Sequence, residues 1–280
     1  MSPAPETSGH TATYALVGHP VRRSRSPGLH SALFSAAGLD AVYVCLDVDP
    51  AAAREVPEAI RTLGLSGVNL TVPFKEAVVP HLDALTDAAQ AAGAVNTLFW
   101  DGDRLVGDNT DGAGLLDAAH EAGARLDAPA VVLGAGGTAR AVSAALIAAG
   151  CPQVTLLNRT LARAAAAAKS LGCGAGSLDA PGFAHAGDQA GLVVNCTAGG
   201  AAPLVDSLPL EPLAADAVWI DANYWMSDPP QQSACEVHGL RFQTGHAMLL
   251  HQGVRAWRRW TGRTPSAGAV SAARRAVVRP

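Results

Sequence analysis

The stretch Val131-Val132-Leu133-Gly134-Ala135-Gly136-Gly137-Thr138-Ala139 decides the fold class of this chain. A run of uncharged apolar residues breaks at glycines and continues as an Ala-rich pattern to Ala149, which reads as strand, tight turn and helix. The spacing is G-x-G-x-x-[GA], and each small residue has a physical task. Gly134 allows the tight turn, Gly136 lets the backbone approach a pyrophosphate with no Cβ in the way, and Ala139 lets the helix lie close to the sheet. The helix start then offers free N–H groups and the positive end of its dipole to an anion. A glycine pattern alone is weak, because glycine turns also serve packing. Here it stands in the strand–turn–helix context that the dinucleotide reading requires, with Gly134, Ala135, Gly136, Gly137 and Thr138 as phosphate-side residues.

Downstream, Val154 to Leu157 reads as the next strand and ends at Asn158-Arg159-Thr160, with Arg163 following. A site for NAD(H) wants a carboxylate at this strand end for the ribose 2′-hydroxyl. This chain has none there. Two guanidinium groups, a hydroxyl and an amide suit a 2′-phosphate, so Asn158, Arg159, Thr160 and Arg163 predict NADP(H) as the cofactor. Upstream, Tyr14–Val17, Ala41–Val48 and Gly67–Val72 read as strands. They alternate with helical stretches at Leu29–Ala37 and Ala51–Leu63. That order implies a second α/β layer with a mostly parallel sheet. Near the C-terminus, His246 to Thr261 is one amphipathic helix, with Met248, Leu249, Gln252, Ala256 and Trp260 at helical spacing.

Composition bounds the function. The 280 residues are 49% hydrophobic and 16% charged with a net charge of −4, which excludes a disordered chain and argues against a nucleic-acid partner or a basic membrane-surface binder. No run approaches the length a membrane span needs. Five widely spaced cysteines without a C-x-x-C pair point away from a metal site or a disulfide framework, and toward a reducing cytoplasm. The basic residues are eighteen arginines and only two lysines, Lys75 and Lys169, so each lysine stands against the drift of the composition.

Polar residues cluster where the first layer should have strand ends and helix starts. Ser24 and Ser26 flank Arg25 before Pro27; read as an extended segment, their side chains face the same way and both reach one carboxylate. Asn69 and Thr71 have the same spacing on the strand that ends at Pro73, and Lys75 follows. Asn96 ends the turn Gly93-Ala94-Val95-Asn96-Thr97, and Asp111 opens a helix after Asp108-Asn109-Thr110. Ligands of open parallel sheets bind at the carboxyl ends of the strands, and a small polyhydroxylated acid would satisfy such a lining. Reduction of a carbonyl by hydride needs a proton for the developing alkoxide; an ammonium supplies it, and a nearby carboxylate orients the ammonium. Lys75 and Asp111 are the candidate pair. Any one of these residues alone is more simply a helix cap or a surface side chain.

Taken together, these blocks resemble the shikimate dehydrogenase family from about Tyr14 to Thr261. They are Val17-Gly18-His19-Pro20 with Ser24-Arg25-Ser26-Pro27; Gly67 to Lys75; Gly93 to Thr97; Asp108 to Gly112; the Gly134 to Ala139 turn; Asn158-Arg159-Thr160; and Gly245-His246-Ala247-Met248-Leu249-Leu250-His251-Gln252. The resemblance implies reversible, NADP(H)-dependent reduction of 3-dehydroshikimate to shikimate on the chorismate route to aromatic amino acids. The enzyme would be a monomer or homodimer. The resemblance also implies a discontinuous substrate domain of residues 10–111 plus 246–280 and a Rossmann-type domain of residues 112–245, the C-terminal helix returning to the first domain. It assigns Ser24 and Ser26 to the substrate carboxylate, with Tyr224 nearby. Asn69, Thr71, Asn96 and Gln252 go to substrate hydroxyls or neighbouring positions, and Lys75 and Asp111 to catalysis. Asp87, Ala222 and Gly245 join the cofactor set.

Three departures stand out. Arg23 replaces the usual histidine, Tyr224-Trp225-Met226-Ser227-Asp228 lacks the usual proline and threonine, and Ala201 follows Gly200 where a methionine or leucine is usual. They leave quinate or an aminoshikimate open as substrate. They also motivate a different class, a non-catalytic nucleotide-binding regulator, against which the presence of Lys75, Asp111, Asn96 and Gln252 speaks.

Overall fold

The computed structural model describes residues 7–198, 202–226 and 229–278. The chain divides into two compact units, parting between Thr110 and Asp111 and again between Met248 and Leu249.

The first unit runs through β1 (Ala12–Gly18), α1 (Ser26–Ala36), β2 (Ala41–Asp47), α2 (Val56–Thr62), β3 (Gly67–Leu70), α3 (Phe74–Ala77), β4 (Ala84–Leu85), α4 (Asp87–Ala92), β5 (Thr97–Asp101) and β6 (Arg104–Asp108). Its six strands lie in the order β2-β1-β3-β5-β6-β4. β1 pairs parallel with β2 and β3, and β4 with β6, whereas β5 runs antiparallel to β3 and β6. The two-residue turn between β5 and β6 is Gly102-Asp103, with Gly102 at φ +59°. A Gly-Asp pair between two strand-like runs is a hairpin signal, and it turns this part of the sheet antiparallel.

Alternation along β1 separates the two faces. Ala15 and Val17 enter a core with Val68, Leu70, Phe74, Val95, Leu98 and Leu105. Tyr14 faces the other way, into an aromatic cluster with Phe34, His30, Tyr43 and Trp260. Gly67 is the floor of that cluster: a Cβ there would overlap the Trp260 indole.

The second unit holds α5 (Asp111–Glu121), β7 (Ala130–Leu133), α6 (Gly137–Ala148), β8 (Val154–Asn158), α7 (Leu161–Leu171), β9 (Gly174–Ser177), α8 (Ala180–Ala186), β10 (Leu192–Asn195), α9 (Ala202–Asp206), β11 (Val218–Asp221), α10 (Pro230–Val237) and β12 (Arg241–Gln243). All strand pairs are parallel, in the order β12-β11-β10-β7-β8-β9. This is the doubly wound nucleotide-binding order, whose direction of winding reverses between β7 and β10. The charge-free β7 is buried on both faces. Ala130 and Val132 enter one core, Val131 and Leu133 the other. The last helices, α11 (His246–Thr261) and α12 (Ala267–Val278), complete the chain; α11 begins in the second unit and continues into the first, and α12 packs on α1.

Three local expectations change. The stretch expected as one helix over Ala51–Leu63 is a 3-10 turn at Pro50–Ala52 followed by α2, because Pro57 is tolerated only in a first helical turn and restarts the helix there. The strand expected over Gly67–Val72 stops at Leu70. Thr71 opens a turn in which the Phe74 N–H donates to the Thr71 carbonyl at 2.9 Å, so Asn69 and Thr71 do not share one strand face. The segment Ser24–Ser26 is not extended. Arg25 is in the helical region at φ −92°, ψ −4°, and Ser26 already begins α1.

His30 lies wholly inside the aromatic cluster, its ring stacked on Tyr43 at 4.4 Å. Burial pushes its pKa down from 6.5 to about 3, so the folded protein holds it neutral. Below pH 6.5 the unfolded chain takes up a proton that the folded chain refuses. Stability is therefore complete above that pH and falls progressively toward pH 3, by at most about 1.4 kcal/mol per pH unit from this group. His30→Phe keeps an aromatic ring and is expected to flatten the fall in urea midpoint between pH 6.5 and 4.5. A slope equal to wild type would overturn this account.

Candidate active site

In the first unit, the polar candidates gather where β3, β5 and β6 meet their connecting turns. Phe74 is fully buried and anchors α3, so the next residue, Lys75, is only half-buried. The Lys75 carbonyl accepts the Val95 N–H at 2.7 Å, which ties α3 to the turn before Asn96. Asn96 is 2% exposed. Its Nδ2 donates to Thr110 Oγ1 at 2.9 Å and to Gln252 Oε1 at 3.3 Å, and its Oδ1 accepts from the Thr110 N–H at 2.8 Å. Asn69 Nδ2 donates to the Asn96 carbonyl at 3.0 Å and to Thr97 Oγ1 at 3.1 Å. Three expected residues, Asn69, Asn96 and Gln252, thus form one hydrogen-bonded group. Ser24 Oγ accepts the Ser26 N–H at 3.2 Å, so these two also lie together, with Ser26 buried and Ser24 half-buried. Thr71 is half-buried in its turn, and Asp87 is exposed at the first residue of α4.

The helix that carries Gln252 is pinned from further along. Asp108, buried at the end of β6, accepts from Arg259 Nε at 2.6 Å, Thr86 Oγ1 at 2.6 Å and its neighbour's Asn109 N–H at 2.8 Å. Trp260 Nε1 donates to the Leu98 carbonyl at 2.9 Å. Sequence reading finds Asp108 in its block but has no signal for Arg259 as its partner, 151 residues away.

In the second unit, β7 leads into Gly134 at φ +109°, where a Cβ would come within 3.0 Å of the Cys196 carbonyl oxygen. Only glycine suits that place. Gly136 is the opposite case. It has open space for at least 4 Å around a Cβ, and it brings no side chain to cap the first turn of α6. Free N–H groups facing open space beside a winding reversal fit a phosphate group. Ala139 is fully buried, as close helix–sheet packing requires. At the end of β8, Asn158 Nδ2 donates to the Thr160 carbonyl at 3.0 Å, while Arg159, Thr160 and Arg163 are exposed.

Asp111 begins α5 and is 4% exposed; its Oδ2 accepts from Thr138 Oγ1 at 3.2 Å. A buried carboxylate expected in catalysis and a hydroxyl expected at the cofactor are therefore in contact. That contact depends on Gly112, where a Cβ would press on the Ala141 carbonyl of α6.

At the ends of β10 and β11, Asn195 Nδ2 donates to Asp221 Oδ2 at 3.0 Å, the Asn223 N–H donates to Asp221 Oδ1 at 2.8 Å, and Thr197 Oγ1 donates to Asn195 Oδ1 at 2.7 Å. Burial raises the Asp221 pKa above the usual carboxylate range. Sequence reading does not place these residues in the site, although Asn195 and Thr197 shortly precede Gly200 and the atypical Ala201. Gly245 lies against Ala222, whose carbonyl a Cβ would strike, so these two expected cofactor residues are neighbours. Tyr224 is half-buried near His246, at 5.9 Å between ring centroids. Arg23, Trp225 and Met226 are exposed. Gly199, Gly200, Ala201, Ser227 and Asp228 lie outside the described residues.

Residues 16–98 match the shikimate dehydrogenase substrate binding domain, residues 117–216 the shikimate / quinate 5-dehydrogenase domain, and residues 245–276 the shikimate 5'-dehydrogenase C-terminal domain. A protein of Symbiobacterium thermophilum named shikimate dehydrogenase (NADP(+)) is 43% identical over 89% of this chain and 88% of its own. The chain belongs to the shikimate dehydrogenase family. A second member of that name, from Moorella thermoacetica, is 40% identical over 92% of this chain and 90% of its own. The crystal structure of shikimate 5-dehydrogenase from Thermus thermophilus in complex with NADP(H) and shikimate superposes with a TM-score of 0.81 at 38% identity, covering 95% of this chain and 99% of that one.

For this family member, the two turn glycines separate stability from binding. Gly134→Val is expected to lower the melting temperature through backbone strain and the Cys196 contact. Gly136→Val, at φ −88° with open space around it, is expected to leave melting unchanged and to weaken cofactor binding at least about tenfold by blocking backbone approach. Thermal melts and cofactor titrations of both variants check this; equal effects of both would contradict it.

Proposed function

We propose that this chain is an NADP(H)-dependent shikimate dehydrogenase, interconverting 3-dehydroshikimate and shikimate. The observation that carries this reading is the Asp111–Thr138 hydrogen bond, which joins a buried carboxylate to the dinucleotide turn. Residues 10–111 with 246–280 form the substrate domain, and residues 112–245 form the cofactor domain. NADPH, held by the Gly134–Thr138 turn and the end of β8, would when bound supply a hydride for the carbonyl carbon. Lys75 Nζ gives its proton to the oxygen that becomes the hydroxyl, and takes it back in the oxidative direction. Asp111 is the carboxylate that orients the lysine.

Ser24 and Ser26 hold the substrate carboxylate, with Tyr224 beside it. Asn69, Thr71, Asn96 and Gln252 receive the ring hydroxyls. Gly134 to Thr138 cradle the pyrophosphate, and Asn158, Arg159, Thr160 and Arg163 hold the 2′-phosphate. Asp87, Ala222 and Gly245 line the rest of the cofactor. The five cysteines are free thiols, consistent with a cytoplasmic setting, where the chain acts as a monomer or homodimer. Among the described residues, no helix is long and apolar enough to cross a membrane.

The test is reduction of NADP⁺ by the purified chain with shikimate, quinate and aminoshikimate in parallel, and NAD⁺ as control. Shikimate with NADP⁺ is expected to give the highest kcat/KM; turnover with quinate alone, or with none of the three, would sink the reading. Lys75→Ala is expected to lose two or more orders of magnitude in kcat while NADPH affinity is kept. Lys75→Arg should fare no better, since a guanidinium does not give up a proton near neutrality. The double variant Arg159→Gln with Arg163→Gln is expected to raise the KM for NADPH roughly tenfold or more and to leave that for NADH unchanged, reading the loss of charge-assisted bonds to the phosphate.

A further inference from the structure

The amides of the first unit are oriented by backbone groups that admit only one role. The Asn96 carbonyl can only accept, so the Asn69 group facing it at 3.0 Å is the NH₂. The Thr110 N–H can only donate, so the Asn96 group facing it at 2.8 Å is the carbonyl oxygen. The Leu249 carbonyl, 3.0 Å from Gln252 Nε2, fixes the third amide in the same way. With these three settled, the hydroxyls follow. Tyr43 O–H must donate to Asn69 Oδ1 at 2.8 Å. Thr97 Oγ1 accepts from Asn69 Nδ2 at 3.1 Å and donates onward to Asn96 Oδ1 at 2.9 Å. Asn96 Nδ2 in turn donates to Gln252 Oε1 at 3.3 Å. One polarised chain of hydrogen bonds runs from Tyr43 through Asn69, Thr97 and Asn96 to Gln252.

The inventory of each amide then has a chemical consequence. Both hydrogens of Asn69 Nδ2 are used within the protein, on Asn96 and Thr97, and one lone pair of its Oδ1 takes the Tyr43 proton. Beyond the Tyr43 bond, Asn69 Oδ1 keeps one lone pair, beside which the buried His30 ring also lies. Gln252 has the converse, one remaining Nε2 hydrogen.

We propose that Tyr43 and Thr97 are positioning residues for substrate recognition: their hydroxyls take up one lone pair and one hydrogen of an Asn69 amide that the Asn96 carbonyl already orients, and so leave Asn69 only as an acceptor for a substrate hydroxyl, while Gln252, oriented by Leu249, keeps a donor for a substrate oxygen. The inference rests on the dehydrogenase reading for the identity of the substrate, but not for the orientation of the amides. Tyr43 is suited to this task because its ring is itself fixed, stacked on His30 at 14° between planes and packed near Trp260.

Tyr43→Phe removes one hydroxyl and keeps the stacked ring. Steady-state kinetics are expected to show the KM for shikimate raised about five- to tenfold, the size of one net hydrogen bond. The KM for NADP⁺ should stay within twofold and kcat within about threefold. Thr97→Val is expected to do the same, and Thr97→Ser to restore the wild-type value; if Thr97→Val does not fold, the comparison of Tyr43→Phe with Thr97→Ser decides. A wild-type KM for shikimate in Tyr43→Phe, or an equal rise in both KM values, overturns the inference. A second readout needs no turnover. In nitrogen-15 NMR spectra of the ligand-free protein, the Asn69 side-chain amide protons should exchange with water faster in Tyr43→Phe than in wild type, and unchanged exchange overturns the inference. If the wild-type chain turns over none of the tested acids, the functional reading fails, and the amide exchange still decides this one.

Discussion

Asn96 has almost no contact with solvent, yet it spends both ends of its amide on groups from two other parts of the chain. A buried amide left without partners costs on the order of 1–3 kcal/mol per missing bond, and that requirement organises the whole first unit. It draws the turn after β6, through Thr110, toward the turn before β5. It draws Gln252 of α11 onto the same point. The strands that carry these turns are held at matching register by the pairing of Asn69 with Thr97 and of Thr97 with Asp108. Asp108 repeats the logic one residue before the turn, where its buried carboxylate collects donors from Thr86, Asn109 and Arg259. The helix bearing Gln252 therefore arrives by apolar packing of its long face and is set in register by three polar contacts, at Asp108, Leu98 and Asn96.

The second unit solves a different problem with less side-chain chemistry. A nucleotide must be met by backbone N–H groups, so the chain there removes atoms. The contrast between Gly134 and Gly136 makes the division plain. The first has no Cβ because protein occupies the space, and the second has none although the space is open. Only the second absence is unexplained by packing, and it lies at the uncapped start of α6. Gly112 extends the same economy of atoms. By letting α5 approach α6 closely it brings Asp111 into reach of Thr138, so the carboxylate is set by helix packing and not by a loop.

What the sequence made legible was local. The β7–α6 turn could be read because strand period, glycine spacing and helical pattern all fall within a few residues. The order of strands and helices followed from the same kind of signal. Three-dimensional pairings were not legible. Arg259 and Asp108 are 151 residues apart, and Tyr43 and Asn69 belong to strands that do not pair with each other, so no period or spacing connects them. Short-range geometry also failed where two rules compete. Ser24-Arg25-Ser26 and Asn69-Leu70-Thr71 both have the alternation of an extended strand, but in each case a proline just ahead turns the chain first. In the first the turn begins a helix at Ser26, and in the second it closes Thr71 onto Phe74. The resemblance to a family assigned these residues to the substrate without the strand geometry, so their roles do not depend on it.

The two lysines show how far composition can be carried before structure must take over. A chain with eighteen arginines and two lysines carries almost all of its positive charge on arginine. Lys169 is exposed in the last turn of α7, where a positive charge complements the helix dipole and where an arginine would serve equally. Lys75 has no such equivalence. It follows the fully buried Phe74 on a one-turn helix whose carbonyl is tied to Val95, so its backbone is fixed while its side chain is only partly covered. A rigidly based cation is of use to a substrate as either arginine or lysine; a rigidly based proton donor must be lysine, because only the ammonium titrates within reach of neutral pH. The proposed role of Lys75 as proton donor thus rests on its residue type together with the packing beneath it, and the scarcity of lysine only draws attention to it.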